Sequence, residues 1–150
     1  MKFEFLPNEI LIECFECFNP LDIFHSFHQL NYRFSKLIRN TPLHLNFEHV
    51  RKSIFDQFCK KIFSNADLKR HIHSLQLSNK DTCGEIKKLL SLFSLNEFPH
   101  LQSLTLTEVE QDEVEKLKIM LPSMPQLSSF RWIKPRNEDR EILTKILITY

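Results

Sequence analysis

Glycine occurs once in the 150 residues, at position 84. A phosphate-cradling loop and a dinucleotide-binding turn each need several glycines, because only glycine lets the backbone approach a phosphate closely and turn left-handed. Nucleotide binding by those routes is therefore excluded, and tight two-residue hairpins are disfavoured for the same reason. Net charge is equally scarce. Lys and Arg number 20 against 19 Asp and Glu, a balance of +1, so no global field draws nucleic acid or an anionic membrane. Long apolar runs are missing too. Glu4, Glu9, Glu13 and Glu16 interrupt the N-terminal stretch, which argues against a secretory signal, and no run is long enough to cross a bilayer. Four cysteines without such a signal are expected to be reduced thiols of a cytoplasmic or nuclear protein.

What the chain has in quantity is phenylalanine, 14 residues, within a composition 42% hydrophobic and 26% charged. That is enough apolar matter for an ordinary packed core. Its densest stretch is residues 5–38. Pro7, with its preset φ and no N–H, suits the first turn of a helix, and Glu9 complements the positive end of its dipole. Ile10, Leu11, Cys14, Phe15 and Phe18 then trace one wide helical face. Asn19, Pro20 and Asp22 restart the pattern as cap, first position and first turn, with Leu21, Phe24 and Phe27 as the stripe. A third helix from about Asn31 carries Phe34, Leu37 and Ile38 and ends before Pro42.

The ordered residues Leu6, Pro7, Glu9, Ile10 and Leu11, then Leu21, Asp22 and Ile23, then Leu30 and Phe34 resemble the F-box motif. The resemblance covers residues 6–34 and implies a three-helix domain over residues 1–40. In that family this unit binds the Skp-family adaptor of an SCF-type cullin–RING ubiquitin ligase, and the rest of the chain recruits the target. It implies contacts to the adaptor from Leu6, Pro7, Ile10, Leu11, Asp22, Ile23, Phe24 and Phe34. Two positions depart from the family, where a Cys and a Trp are frequent in the third helix and this chain has Asn31 and Phe34. Phenylalanine keeps the aromatic bulk.

Beyond Pro42, Leu43, Leu45 and Phe47 alternate with polar residues as in a half-buried strand, and Ile54, Phe55, Phe58, Ile62 and Phe63 return to helical spacing. A repeat follows. Ile72-x-x-Leu75-x-Leu77, Leu101-x-x-Leu104-x-Leu106 and Leu127-x-x-Phe130-x-Trp132 recur at spacings of 29 and 26 residues. Helical stripes lie between and after them: Ile86, Leu89, Leu90 and Phe93; Val114, Leu117, Met120 and Leu121; Ile142, Leu143, Ile146 and Leu147. Thr82 and Glu85 suggest a capping box ahead of the first. A strand plus a helix every 20–29 or so residues resembles the leucine-rich repeat. The asparagine or cysteine that this family places three residues after the last leucine is Lys80, Val109 and Pro135 here, so an asparagine ladder is not expected.

The predicted fold class is thus α/β: a three-helix F-box, then over residues 41–150 a short solenoid of about four parallel βα units. Ser74, Gln76 and Ser78, with Ser103, Thr105, Thr107, Ser129, Arg131 and Ile133, alternate with the inward leucines. Ser74, Gln76, Ser103, Thr105, Ser129 and Arg131 are the candidate target-binding residues.

Other constellations carry little chemistry. Cys14-x-x-Cys17 with His25-x-x-His28 is spaced too tightly for a zinc finger and sits within helices. Cys59, His71, His73 and Cys83 have nothing to set their distances. Glu108, Glu110, Asp112 and Glu113 are accounted for by a helix start, and Trp132 by a repeat position. No catalytic residue, cofactor or metal is assigned. The expected function is a non-enzymatic adaptor that reaches a cullin through the Skp-family protein and holds an unidentified protein target, with neither nucleic acid nor membrane as partner. The alternative is a stand-alone repeat module that binds protein without a ligase.

Overall fold

Three short helices open the chain, each set off by a residue that the preceding one cannot absorb. The computed structural model describes residues 2–18, 20–27, 30–63, 65–81, 84–133 and 143–145. Helix α1 spans Asn8–Cys17, α2 Pro20–Phe27 and α3 Tyr32–Asn40. Pro7 lies just outside α1, as its N-cap residue, instead of in its first turn. Asn19, read as the cap of the second helix, lies outside the described residues. Asn31 does cap α3, its side-chain oxygen accepting from Phe34 N at 2.9 Å, which satisfies one of the donors a helix start leaves open.

The inner faces of these helices meet through aromatic rings. Phe15, Phe27 and Phe34 lie 5.5–6.2 Å apart by centroid in tilted or edge-on pairs, the geometry ring quadrupoles favour. Phe3, from a 3-10 turn Phe3–Phe5, closes over Phe27 and Phe34 at 5.7 and 5.9 Å.

Strands β1 (Leu43–Asn46), β2 (Ile72–Ser78), β3 (Ser103–Thr107) and β4 (Ser129–Ile133) follow in a parallel sheet, neighbours in sequence being neighbours in space. The returns run through α4 (Lys52–Phe63) and α5 (Ala66–His71), then α6 (Glu85–Leu92), then α7 (Gln111–Met120). Helix α4 packs against α6 and α6 against α7, so the returns form one layer. Leu45, Leu75, Leu104 and Phe130 stand in register across the four strands and are buried, one apolar row facing that layer. The fold is α/β, as the sequence predicts.

Three local features differ from the sequence reading. The stripe over 142–147 predicts a helix, yet Leu143–Lys145 is a strand, β5, antiparallel to β4 with Trp132 opposite Leu143; Ile142, Ile146 and Leu147 lie outside the described residues. A short apolar run reads equally well either way, and the open edge of β4 decides it. Helix α5 was not expected, because its six residues bury only Leu68 and rely on Asn65, whose side chain accepts from Asp67 N. No box is seen at α6: Gly84, in left-handed conformation with φ +85°, is its N-cap, Glu85 begins the helix, and Thr82 lies outside the described residues. Reciprocal capping occurs instead between Ser94 and Glu97 and between Glu110 and Glu113.

Helix α2 packs against β1, covering an edge that would otherwise offer open backbone groups. Leu11, Phe15, Ile23, Phe34, Leu43 and Leu75 belong to one continuous core. Position 40 is therefore a bend in the chain, across which packing continues.

The turn after β3 places Glu108 at φ +59°, a region that costs an L-residue on the order of 1 kcal/mol. Its N–H donates to Ile133 O and its carbonyl accepts from Asn79 Nδ2, both backbone roles that glycine keeps. Glu108→Gly is expected to raise the unfolding free energy by up to about 1 kcal/mol. A lower denaturant midpoint for the variant would contradict this.

Candidate partner-binding surfaces

Helix α1 has two sides. Leu11 and Phe15 fall one turn apart and are buried, whereas Ile10 turns outward. Of the eight residues the F-box resemblance implies as contacts, Pro7, Ile10 and Asp22 are exposed and Leu6 is half-buried. Leu11, Ile23 and Phe34 lie instead in the chain's own core, where each helix turns its apolar face, and offer no exposed surface to a partner. Phe24 lies in α2, with its side chain outside the described part.

Exposed large apolar side chains gather in this head. Ile10 is 41% exposed, Phe18 49%, Leu30 56%, Phe5 74% and Tyr32 81%, while only Ile54, Leu92 and Ile119 are comparable in the rest of the described residues. Sequence periodicity missed Phe5, Leu30 and Tyr32 because they lie in a strap, a loop and a helix start, outside any stripe. The strap, residues 3–7, is fastened by Arg33. Its Nε donates to Asn8 Oδ1 at 2.8 Å, Nη1 to Glu4 O at 2.6 Å and Nη2 to Leu6 O at 2.5 Å. Asn8, Tyr32 and Arg33 line one shallow cleft, so the strap adjoins the start of α3.

On the sheet face away from the helices, register builds two rungs. One runs His44, Ser74, Ser103, Ser129 and the other Asn46, Gln76, Thr105, Arg131. The structure thus brings all six candidate target-binding residues together. The Gln76 amide donates to Glu48 Oε2 at 2.6 Å, and Arg131 is exposed. Ser78 and Thr107, expected on this face, are buried; Ser78 Oγ accepts from Lys80 N as the chain turns over it.

Asn79 is the residue that sequence reasoning overlooked. It lies one position before the place where the repeat pattern calls for asparagine, and it is buried. Its Nδ2 donates to Glu113 Oε2 at 3.0 Å and to Glu108 O at 3.1 Å, and its Oδ1 accepts from Ile86 N at 3.3 Å. Successive βα turns are thereby tied together. Glu113, accounted for in the sequence by a helix start, is buried and also accepts from Glu110 N.

No family model, curated protein or solved structure matches this chain. The surfaces must be judged on their own chemistry. No helix among the described residues is long and apolar enough to cross a membrane. Among the same residues no three His, Cys, Asp or Glu side chains are placed to hold a metal ion. Cys14 is half-buried and Cys17 exposed, while His28 and Cys83 lie outside the described residues. Burial pushes the Cys59 thiol up to about 12, against the pull of Lys88, so it stays protonated and weakly nucleophilic at neutral pH.

The imidazoles of His73 and His100 stack 5.8 Å apart, and His44 lies 6.4 Å from His73. Burial first, then His100 and His44, hold His73 below its usual value. Burial also lowers His71, opposed by Asp67 and reinforced by His73, His100 and Arg39. A histidine whose folded value is lowered stabilises fully above its unfolded value of about 6.5, and that stability is lost as pH falls through the folded value. The urea midpoint is therefore expected to fall between pH 7.5 and 5, and His71→Gln with His73→Gln to shrink that fall. An unchanged pH dependence in the double variant would refute the assignment.

Proposed function

We propose that this protein is a non-catalytic adaptor whose N-terminal head docks onto a Skp-family protein, and through it a cullin–RING ubiquitin ligase, while its sheet region holds a protein target. One observation carries the reading: the strap and the outer side of α1 present Leu6, Pro7 and Ile10 in a head that also exposes Phe5, Leu30 and Tyr32, while Leu11, Ile23 and Phe34 make its core. Exposed apolar side chains concentrated at one end of a chain support an interaction surface there. The four parallel strands are read as degenerate leucine-rich-repeat-like units, on the support of the in-register row Leu45, Leu75, Leu104 and Phe130. Such arrays bind partners on their open strand face, and recruitment raises the target's effective concentration near the ligase. The rungs of Ser74, Gln76, Ser103, Thr105, Ser129 and Arg131 would be that face.

A second reading has its own support. The packing of α2 on β1 and the shared core suit a head that serves only as the N-terminal cap of a stand-alone protein-binding module. Pull-down of a purified Skp-family adaptor by the chain separates the two. Wild type is expected to bind, and Ile10→Asp to lose at least about ten-fold in affinity with an unchanged melting temperature, since Ile10 is exposed. A well-folded wild type that does not bind would leave the cap reading standing.

A further inference from the structure

We propose that Arg33 is the positioning residue of the docking head: it holds the strap in the one conformation that presents Phe5, Leu6 and Pro7. This rests on the adaptor reading. Between the 3-10 turn Phe3–Phe5 and α1, Leu6 and Pro7 run extended at ψ 144° and 153°. An extended stretch has no ladder of its own, and its hydrogen bonds must come from outside. Here the side-chain donors to two of its carbonyls, Glu4 O and Leu6 O, come from one residue. Three nitrogens of the Arg33 guanidinium reach Glu4 O, Leu6 O and Asn8 Oδ1, a planar fork that lysine cannot reproduce with a single nitrogen. Among the described residues the strap is also tied by two turn bonds, Phe5 N to Lys2 O and Leu6 N to Phe3 O, by Leu11 N donating to Pro7 O where α1 begins, by Leu6 packing against the core, and by the contact of Phe3 with Phe27 and Phe34.

Ordering a free segment at the moment of binding weakens affinity, and a segment ordered beforehand spares that cost. Arg33 is half-buried on α3, outside the core row of Phe34, Leu37 and Ile38, so its substitution is expected to leave the head folded.

The test uses the full chain as wild type, Arg33→Ala and Arg33→Lys, with hydrogen exchange of the Phe5 and Leu6 amides and affinity for a purified Skp-family adaptor as readouts. Both variants should keep the wild-type far-ultraviolet spectrum, exchange those two amides faster in the free protein, and bind the adaptor about ten-fold or more weakly. If Arg33→Lys restores binding, charge alone is required and the positioning role fails. It fails equally if Arg33→Ala leaves strap exchange unchanged. Wild-type binding retained by both variants overturns the Arg33 role alone, whereas a wild type that does not bind overturns the adaptor reading and the docking role with it.

Discussion

Replacing Phe34 with alanine should lower the unfolding free energy by about 3–5 kcal/mol, the range for truncating a fully buried aromatic side chain. Its ring is inaccessible and touches Phe3, Phe15 and Phe27, so the substitution removes one member from each of three aromatic pairs that join strap, α1 and α2 to α3. Thermal or denaturant melting reads the loss, and Phe34→Leu, which keeps more of the volume, should recover a good part of it. A loss below about 1 kcal/mol for alanine would mean that the head is held chiefly by its packing on β1. The same position bears on the family resemblance: Phe34 lies where an F-box often carries tryptophan, and its work here is internal packing.

Asn79→Ala is expected to cost about 2–4 kcal/mol, because buried polar groups left without their partner pay their full desolvation. The Glu113 carboxylate would lose its amide donor, Glu108 O its side-chain donor and Ile86 N its acceptor, and Glu113 and Ile86 are buried. Since Asn79 and Glu113 belong to one network, the double variant with Glu113→Ala should destabilise less than the two single variants added together, by at least about 0.5 kcal/mol. Strict additivity would show that the contact is incidental. The partners lie 29 and 34 residues from Asn79 along the chain, so this one amide staples consecutive βα turns in the manner of a ladder residue displaced by one place.

Residues whose local neighbours set their environment were readable in advance. The α3 stripe of Phe34, Leu37 and Ile38 and the alternation of Leu43 and Leu45 with His44 and Asn46 follow from periods of 3.6 and 2. Residues whose environment comes from distant chain were not. Nothing local tells Glu113 from Glu110 or Asp112, yet Glu113 is buried because Asn79 arrives from the preceding unit. Leu143–Lys145 pairs as a strand because β4 offers an edge, a fact absent from its own periodicity. Arg33 reads as a solvated charge on a basic helix until the strap is seen lying across it.

By itself, then, the sequence determined the α/β class, the helical head, the strand spacing that places Leu75, Leu104 and Phe130 in one row, and, through its single glycine, the absence of phosphate-cradling loops. These depend on backbone preference and on the free energy of removing apolar side chains from water, which act at short range. Only the tertiary structure decided which apolar residues face out. Ile10 and Leu11 are neighbours of similar hydrophobicity, but one is exposed and the other buried, because the side of α1 that meets α3, through Phe15 and Phe34, is chosen by the packing of the whole head.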